Sequence, residues 1–453
     1  MKPDRFDYTV WVVLAALTLA IAGVIWAGDR AGARIKSTFP SAGVSVGAYS
    51  SIGIEFAQAM QVETVEESFQ IEPAVSGTFQ WEGQTLWFAP AQPFQRNTSY
   101  TARLTAGALS LGGQSVKQDV VWQFTVREPW IAYIAPTNKD REVWRVRPDG
   151  TEAQPLTQTG GTVYDLAVSH DGEHIAYSAL NEQRGIDLWL MKADGSQPRR
   201  AVDCGLDQCS VPAFAPDGRQ LAYSRESTGL QPGAPPGPPR AWIVDLTTGE
   251  TGSLYQDSQV LGYGPSWSPD GQRIAVLDGA VGSLRVYNLQ SGQESLLPTA
   301  MGMMGAWSPD GAQMIYTDLT FGGDVPFATL YRADFINPAI IPLLGQAPNR
   351  ADYGPPAWSP TGEWLAVSQR TADSGPGKQI WLMHPDGTDS QPVTTDVKYT
   401  HGGYRWDAGG QALVFQRFEM NVAFAMPELV VWDMTTGAQT VVAREASLPM
   451  WMP

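Results

Sequence analysis

Few residues in this chain combine a reactive side chain with a spacing that chemistry could use. The four histidines are His170, His174, His384 and His401. His170 and His174 flank the turn signal Asp171-Gly172, which sends their side chains to different strands and argues for turn and surface roles over a metal pair. No EF-hand loop or P-loop pattern occurs, so the reading assigns no metal and no cofactor. One Gly-x-Ser-x-Gly match, Gly43-Val-Ser-Val-Gly47, is followed by no helical pattern. A nucleophile elbow needs a strand, a sharp turn and then a helix, so this match is read as chance. A lyase-type centre would need histidine, arginine, lysine or carboxylate groups converging on one spot. His401 and Arg405, with Asp165 and Asp352, are scattered candidates for it. Cys204 and Cys209 are the only cysteines and are spaced for a local disulfide, which suits an oxidising compartment. A formal net charge of −16 argues against a nucleic-acid surface, because phosphate binding needs clustered Lys and Arg.

The elements that would position these residues announce themselves by repetition. Trp-Ser-Pro-Asp-Gly stands at 267–271 and 307–311, Ala-Pro-Asp-Gly at 215–218 and Trp-Ser-Pro-Thr-Gly at 358–362. Weaker copies end at Gly172 and Gly410, so the period is 40 to 53 residues. A period of this size with a strand–turn–strand signal in each unit is the mark of a β-propeller. In residues 264–298 the pattern reads as four antiparallel strands, with Pro and Asp shaping the first turn and Gly271 supplying the positive φ. The recurring aspartates are therefore assigned to turn formation.

A second recurring signal, a third strand with its closing turn, counts seven copies against six of the first: five end in Asp-Gly or Thr-Gly, one in Ser291-Gly292, and one at Leu330-Tyr-Arg-Ala-Asp334 is degenerate. The unmatched copy is the first, with strands near 131–134, 143–147 and 154–157 and no inner strand before them. Residues 447–453, with Pro449-Met-Trp451 parallel to Pro356-Ala-Trp358, look like that missing strand. The expected fold is all-β: a seven-bladed propeller over 130–453 closed by the C-terminal strand, which hides sheet edges.

Ahead of it, residues 8–27 carry no charge and match the thickness of a bilayer core, with Tyr8, Trp11 and Trp26 as interfacial aromatics. They are expected to be an uncleaved transmembrane anchor, with 1–7 as a short cytoplasmic N-terminus, 28–36 as a linker and the body extracytoplasmic. Residues 37–127 show short alternating runs separated by turns, which argues a small β-sandwich.

Two stretches carry resemblances. Phe56-Ala-Gln-Ala-Met60, Ile71-Glu-Pro73, Gly77–Trp81, Leu86-Trp-Phe-Ala-Pro90, Asn97-Thr-Ser-Tyr100 and Trp122-Gln-Phe124 resemble the bacterial Ig-like domain of surface-layer and other cell-envelope proteins. Asp217-Gly-Arg-Gln-Leu-Ala-Tyr223 and Asp270-Gly-Gln-Arg-Ile-Ala-Val276 resemble the repeat of TolB-like (WD40-like) propellers, a likeness covering 130–453. It departs from the TolB protein in blade count, seven against six, and in its N-terminal domain, so that protein's partner is not carried over. Propellers precede a catalytic domain in prolyl oligopeptidase-type enzymes, but here the sequence given stops at the propeller and no such domain is expected.

Tight Asp-Gly and Thr-Gly turns occupy one face of the expected ring, and long irregular loops at 225–240, 318–329, 369–378 and 417–428 occupy the other. Long loops on a rigid frame are where binding usually lives. Tyr164, Asp165, Tyr263, Tyr353, His401 and Tyr404, with Phe321, Phe327, Phe418 and Phe424, are read as a collar around the channel mouth on that face, against the alternative that they pack blade on blade. The expected function is a membrane-anchored, non-enzymatic envelope protein that recognises a protein, peptide or glycan. The alternative is a propeller enzyme, a polysaccharide lyase or hydrolase-like, with its site at the channel mouth.

Overall fold

The computed structural model describes residues 5–30, 32–96, 98–229, 235–320, 326–344, 351–371 and 375–453. The chain divides into two compact units, Met1–Arg127 and Glu128–Pro453.

The first unit opens with the helix Arg5–Arg30, whose side chains from Tyr8 to Ala22 are exposed. Among the described residues no helix is long and apolar enough to cross a membrane. The expectation of a single-pass anchor at 8–27, and of a membrane as a partner through it, is therefore corrected.

The rest of the unit is two four-stranded sheets. One runs Ile35–Phe39, Ile52–Phe56, Thr85–Pro90, Gly77–Glu82, and the other runs Ser45–Val46, Val120–Val126, Ser99–Leu104, Phe69–Glu72. Alternation is the cause: Thr85–Pro90 buries Leu86, Phe88 and Pro90 and turns the others outward. Phe94, Tyr100 and Phe124 stack in the core, with centroids 4.8 Å apart for Phe94–Tyr100 and 5.6 Å for Tyr100–Phe124. The Gly-x-Ser-x-Gly match lies in this sandwich. Ser45 pairs with Thr125 across a strand ladder and its hydroxyl bonds the Thr125 hydroxyl at 2.7 Å, with no helix following.

The second unit is a succession of antiparallel β-sheets built on the repeats. Residues 264–298 give Tyr263–Trp267, Arg273–Asp278, Ser283–Asn288 and Glu294–Pro298, paired in that order. Comparable sheets are Ala306–Trp307 to Ala339–Pro342 and Tyr399–Trp406 to Gln439–Arg444. Another spans Asp352 to Pro392, its inner strand split into Asp352–Tyr353 and Ala357–Trp358. The repeats at 163–202 and 208–253 are joined by one parallel pair, Ile186 with Gln208. Trp130–Ala135 pairs on one side with Glu142–Val146 and on the other, antiparallel, with Ser447–Met452.

Each turn is held locally. Ser268 Oγ donates to the Asp270 carboxylate and accepts the Arg273 N–H at 2.9 Å, while Asp270 accepts the Gln272 N–H at 3.0 Å. Ser308 and Asp310 repeat these contacts. The serines are buried although the turns lie at the surface.

Apolar clusters fill the space between consecutive sheets. Ala366, Ile380 and Leu382 pack on Trp406, Leu413 and Phe415, and Ala275, Leu284 and Val286 pack on Trp307, Met314 and Tyr316. A cluster of the same kind joins Val414, Leu429 and Val431 of the last sheet to Ile131, Tyr133 and Trp451 of the first. Gly172, at φ 71°, shows how closely the chain end is packed, since a Cβ there would sit 2.6 Å from the Pro453 carbonyl oxygen.

The tryptophans of the repeats tie inner strands together. The indole N–H of Trp267 donates to the Ala213 carbonyl at 3.1 Å, that of Trp406 to Ala357 at 3.1 Å and that of Trp451 to Arg405 at 3.0 Å. In each case donor and acceptor belong to neighbouring sheets.

Candidate functional site

The loop-bearing face is built on the first halves of the inner strands, and these share a deformation. The register shifts between Val163 and Asp165, Ser210 and Ala213, Tyr263 and Ser266, Gly402 and Arg405, and Ser447 and Met450. A β-bulge at each point re-aims the side chains beside it. A recurring polar residue on the second strand braces it. Ser178 Oγ accepts the Asp165 N–H at 3.0 Å, Ser224 Oγ accepts the Gly264 N–H at 2.9 Å, and Gln416 Oε1 accepts the Leu448 N–H at 2.8 Å.

Three of the expected collar residues meet partners on this face. The Asp165 carboxylate accepts from Ser178 Oγ at 3.3 Å and, across to the next repeat, from the Val211 N–H at 3.2 Å. Tyr263 is 42% exposed. Its phenol is pushed above the ordinary tyrosine value by burial and then by the negative charges of Asp165 and Glu226, so those three groups from successive repeats share one neighbourhood. Tyr164 is half-buried, with the Arg141 guanidinium 4.4 Å above its ring.

Tyr404, Tyr353, Phe327 and Phe418 belong to the frame. Tyr404 is corrected from the mouth to the interior. It is 3% exposed and ties two sheets together, its hydroxyl accepting the Ser368 N–H at 2.8 Å and donating to the Pro355 carbonyl. Burial pushes that phenol up to about 12. Tyr353 packs against the cluster of Ile315, Leu330 and Val367. Phe327 and Phe418 are half-buried on strands, opposite Thr320 and Thr400. Phe321 lies outside the described residues, as do 230–234, 322–325 and 372–374 of the long loops. Phe424 is 96% exposed on the 420–427 loop at φ 57°.

The scattered candidates for a catalytic cluster separate further. His401 is 5% exposed, edge-on to Phe415, with Nδ1 3.2 Å from the Lys378 carbonyl. Burial, the largest cause, together with the Arg417 charge, lowers its pKa to about 4 against the Lys378 hydrogen bond and Asp396, so it stands neutral at pH 7. Asp352 is engaged by Arg370 at 3.1 Å and Lys378 at 3.4 Å. His384 stacks on Trp364. Cys204 and Cys209 are joined, with Sγ–Sγ 1.97 Å and Cα–Cα 6.3 Å. Among the described residues no group of three or more His, Cys, Asp or Glu is arranged to hold a metal ion.

Arg405 is exposed, and burial holds its guanidinium below the ordinary arginine value, with Tyr404 opposing that shift.

Residues 29–126 match the family described as Bacterial Ig-like domain. The chain is 24% identical over 210 residues to the uncharacterized peptidase YuxL of Bacillus subtilis, a match covering 38% of this chain and 31% of that one. It therefore spans less than a third of the length of that curated relative. Among solved structures it is similar to a puromycin-hydrolyzing peptidase of Mycobacterium tuberculosis, at 14% identity and TM-score 0.50, over 89% of this chain and 57% of that one. It is also similar to TolB from Acinetobacter baumannii, at 16% identity and TM-score 0.43, over 85% and 83%. The expectation of a non-enzymatic protein is corrected, because the curated relative that the chain matches is named as a peptidase. At these identities the structural likeness speaks to the fold.

Sequence reasoning missed Arg141, Ser178, Val211 and Glu226. A signal existed for Ser178, since Ser224, Thr317 and Ser368 follow the same Ala-Tyr, Ile-Tyr or Ala-Val step in their repeats. None existed for Val211, which takes part through its backbone alone.

Proposed function

We propose that this protein is a propeller enzyme of the peptidase class, taking peptides at the loop-bearing mouth of a channel through seven blades closed by the C-terminal strand. The observation that carries the reading is the 210-residue match to a peptidase. The pairing of Ser447–Met452 with Trp130–Ala135, and the apolar cluster linking the last sheet to the first, support the closed ring. The disulfide and the Ig-like match support an oxidising, extracytoplasmic setting.

The mouth offers what a peptide asks for. Asp165 and Glu226 suit an ammonium group, the Tyr263 phenol keeps its proton and donates, and exposed Phe424, Val397 and Val422 give apolar contact. The test is turnover of internally quenched peptides by the purified full-length protein, run beside oligogalacturonate. Peptide cleavage that falls about tenfold in Asp165→Asn is expected, the worth of one charge-assisted contact. Absence of peptide cleavage overturns the reading, and turnover of the acidic polysaccharide alone replaces it with the lyase.

A further inference from the structure

On the outer face of the sandwich's first sheet, a glycine makes room for an aromatic ring. Phe39, Gly53, Trp87 and Gln80 stand opposite one another across its four strands, so they share that face. Gly53 does not adopt a positive φ, so its backbone calls for no glycine, and a glycine inside a strand weakens it. What it supplies is space. A Cβ there would sit 2.5 Å from Trp87 Cε3 and 2.6 Å from Cζ3, so the six-membered ring of the indole rests directly on the strand. The ring of Phe39, 37% exposed, stands beside it, with centroids 5.0 Å apart and planes 38° apart.

Trp87 differs from the other two tryptophans of the sandwich. Trp122 is 3% exposed, and Trp81 donates its indole N–H to the Glu66 carboxylate at 3.1 Å. Trp87 is half-buried, and among the described residues nothing accepts its N–H. The surround of the two rings is polar. Ser37, Glu55, Thr85 and Glu82 form the next row of the face, where Lys36 and Ser37 donate to Glu55 at 2.6 and 2.7 Å. Thr78 and Gln80 are exposed on the edge strand Gly77–Glu82.

We propose that this face is a binding platform for a neutral polysaccharide. Two rings in a polar surround are too narrow for a protein interface, which needs an apolar core within roughly 800 Å² per partner. A lipid surface would call for free basic residues, whereas Lys36 is paired with Glu55 and Glu82 stands in the same row. A pyranose ring has C–H groups on its faces and hydroxyls around its edge, which is the pattern this face complements. The weakly positive C–H groups meet the negative face of the indole, and the indole N–H, Gln80 and Thr78 serve the hydroxyls. The two carboxylates repel an acidic sugar. The platform belongs to the first unit and does not rest on the peptidase reading.

Calorimetric titration of the full-length protein with cellohexaose and with chitohexaose, both uncharged, tests the proposal. Saturable binding of at least one is expected, about tenfold weaker in Trp87→Ala and less affected in Trp87→Phe, which keeps a smaller ring. Gly53→Ala, which lifts the indole off the strand, should also weaken it. Matching circular dichroism and melting temperatures establish that the variants fold. No saturable binding of either sugar, or binding that survives Trp87→Ala, overturns the proposal. Tighter binding of hexagalacturonate, dependent on Trp87, overturns the choice of a neutral sugar. Sugar binding lost in Asp165→Asn and kept in Trp87→Ala would overturn the platform in favour of the mouth.

Discussion

On the face that carries the Ser-Pro-Asp-Gly turns, hydrogen bonds close within a few residues. Ser308, Asp310, Ala312 and Gln313 satisfy one another and repeat what Ser268, Asp270, Gln272 and Arg273 do. On the opposite face the contacts span repeats. Asp165 reaches Val211, and the Tyr263 phenol feels Asp165 and Glu226. The first face was prominent in sequence and acts as folding machinery. The second carries little motif and gathers the groups that a ligand could use. Repetition marks what every repeat needs for itself, and binding groups need occur only once.

Experiments that would break or sharpen this contrast fall in order of size. Removing Ser447–Pro453 strips Trp451 and Met452, both buried, and leaves the edge of Trp130–Ala135 bare. Loss of cooperative thermal unfolding is expected. Trp451→Ala alone should cost about 3–5 kcal/mol in a denaturant titration. An unchanged melting temperature in the deletion would refute a closed ring.

His401 supplies the next effect. Its folded pKa, about 4, lies below the ordinary value of about 6.5. The unfolded chain therefore binds the proton first, and the stabilising effect of the neutral ring is complete above about pH 6.5 and fades as pH falls toward 4. Comparing the wild type with His401→Phe should show a difference in pH slope worth about 3 kcal/mol across that window. Equal slopes would place this histidine at a wet mouth rather than in the frame.

Tyr404→Phe removes a buried hydroxyl that serves both Ser368 and Pro355, and should cost about 1–3 kcal/mol with no loss of peptide affinity. A selective loss of affinity would return Tyr404 to the collar. The smallest change in stability separates the two faces directly. Asp310→Asn and Asp165→Asn should each cost about 0.5–1.5 kcal/mol by urea titration, and only the second should slow peptide turnover.

Much of the frame was legible in the chain. The strands of residues 264–298 fall within a residue or two of the expected positions, because alternation, Pro-Asp-Gly turns and positive-φ glycines act over short distances. The site was less legible. Tyr164 and Tyr263 do sit among partners on the loop-bearing face, but Tyr404, two residues before Trp406 where the other two stand four before their repeat's tryptophan position, is buried between sheets. A bulge in each of these strands shifts the register, and a bulge leaves no periodic signal.

By itself the sequence determined the all-β class and the turn chemistry, since each is set by residues no more than about five apart along the chain, and the recurrence of those local signals gave the repeat period. Only the tertiary structure decided which groups meet: Asp165 with the Val211 amide, and Trp451 with the Arg405 carbonyl. Those partners lie roughly one repeat apart, and packing alone sets how one repeat is rotated against the next.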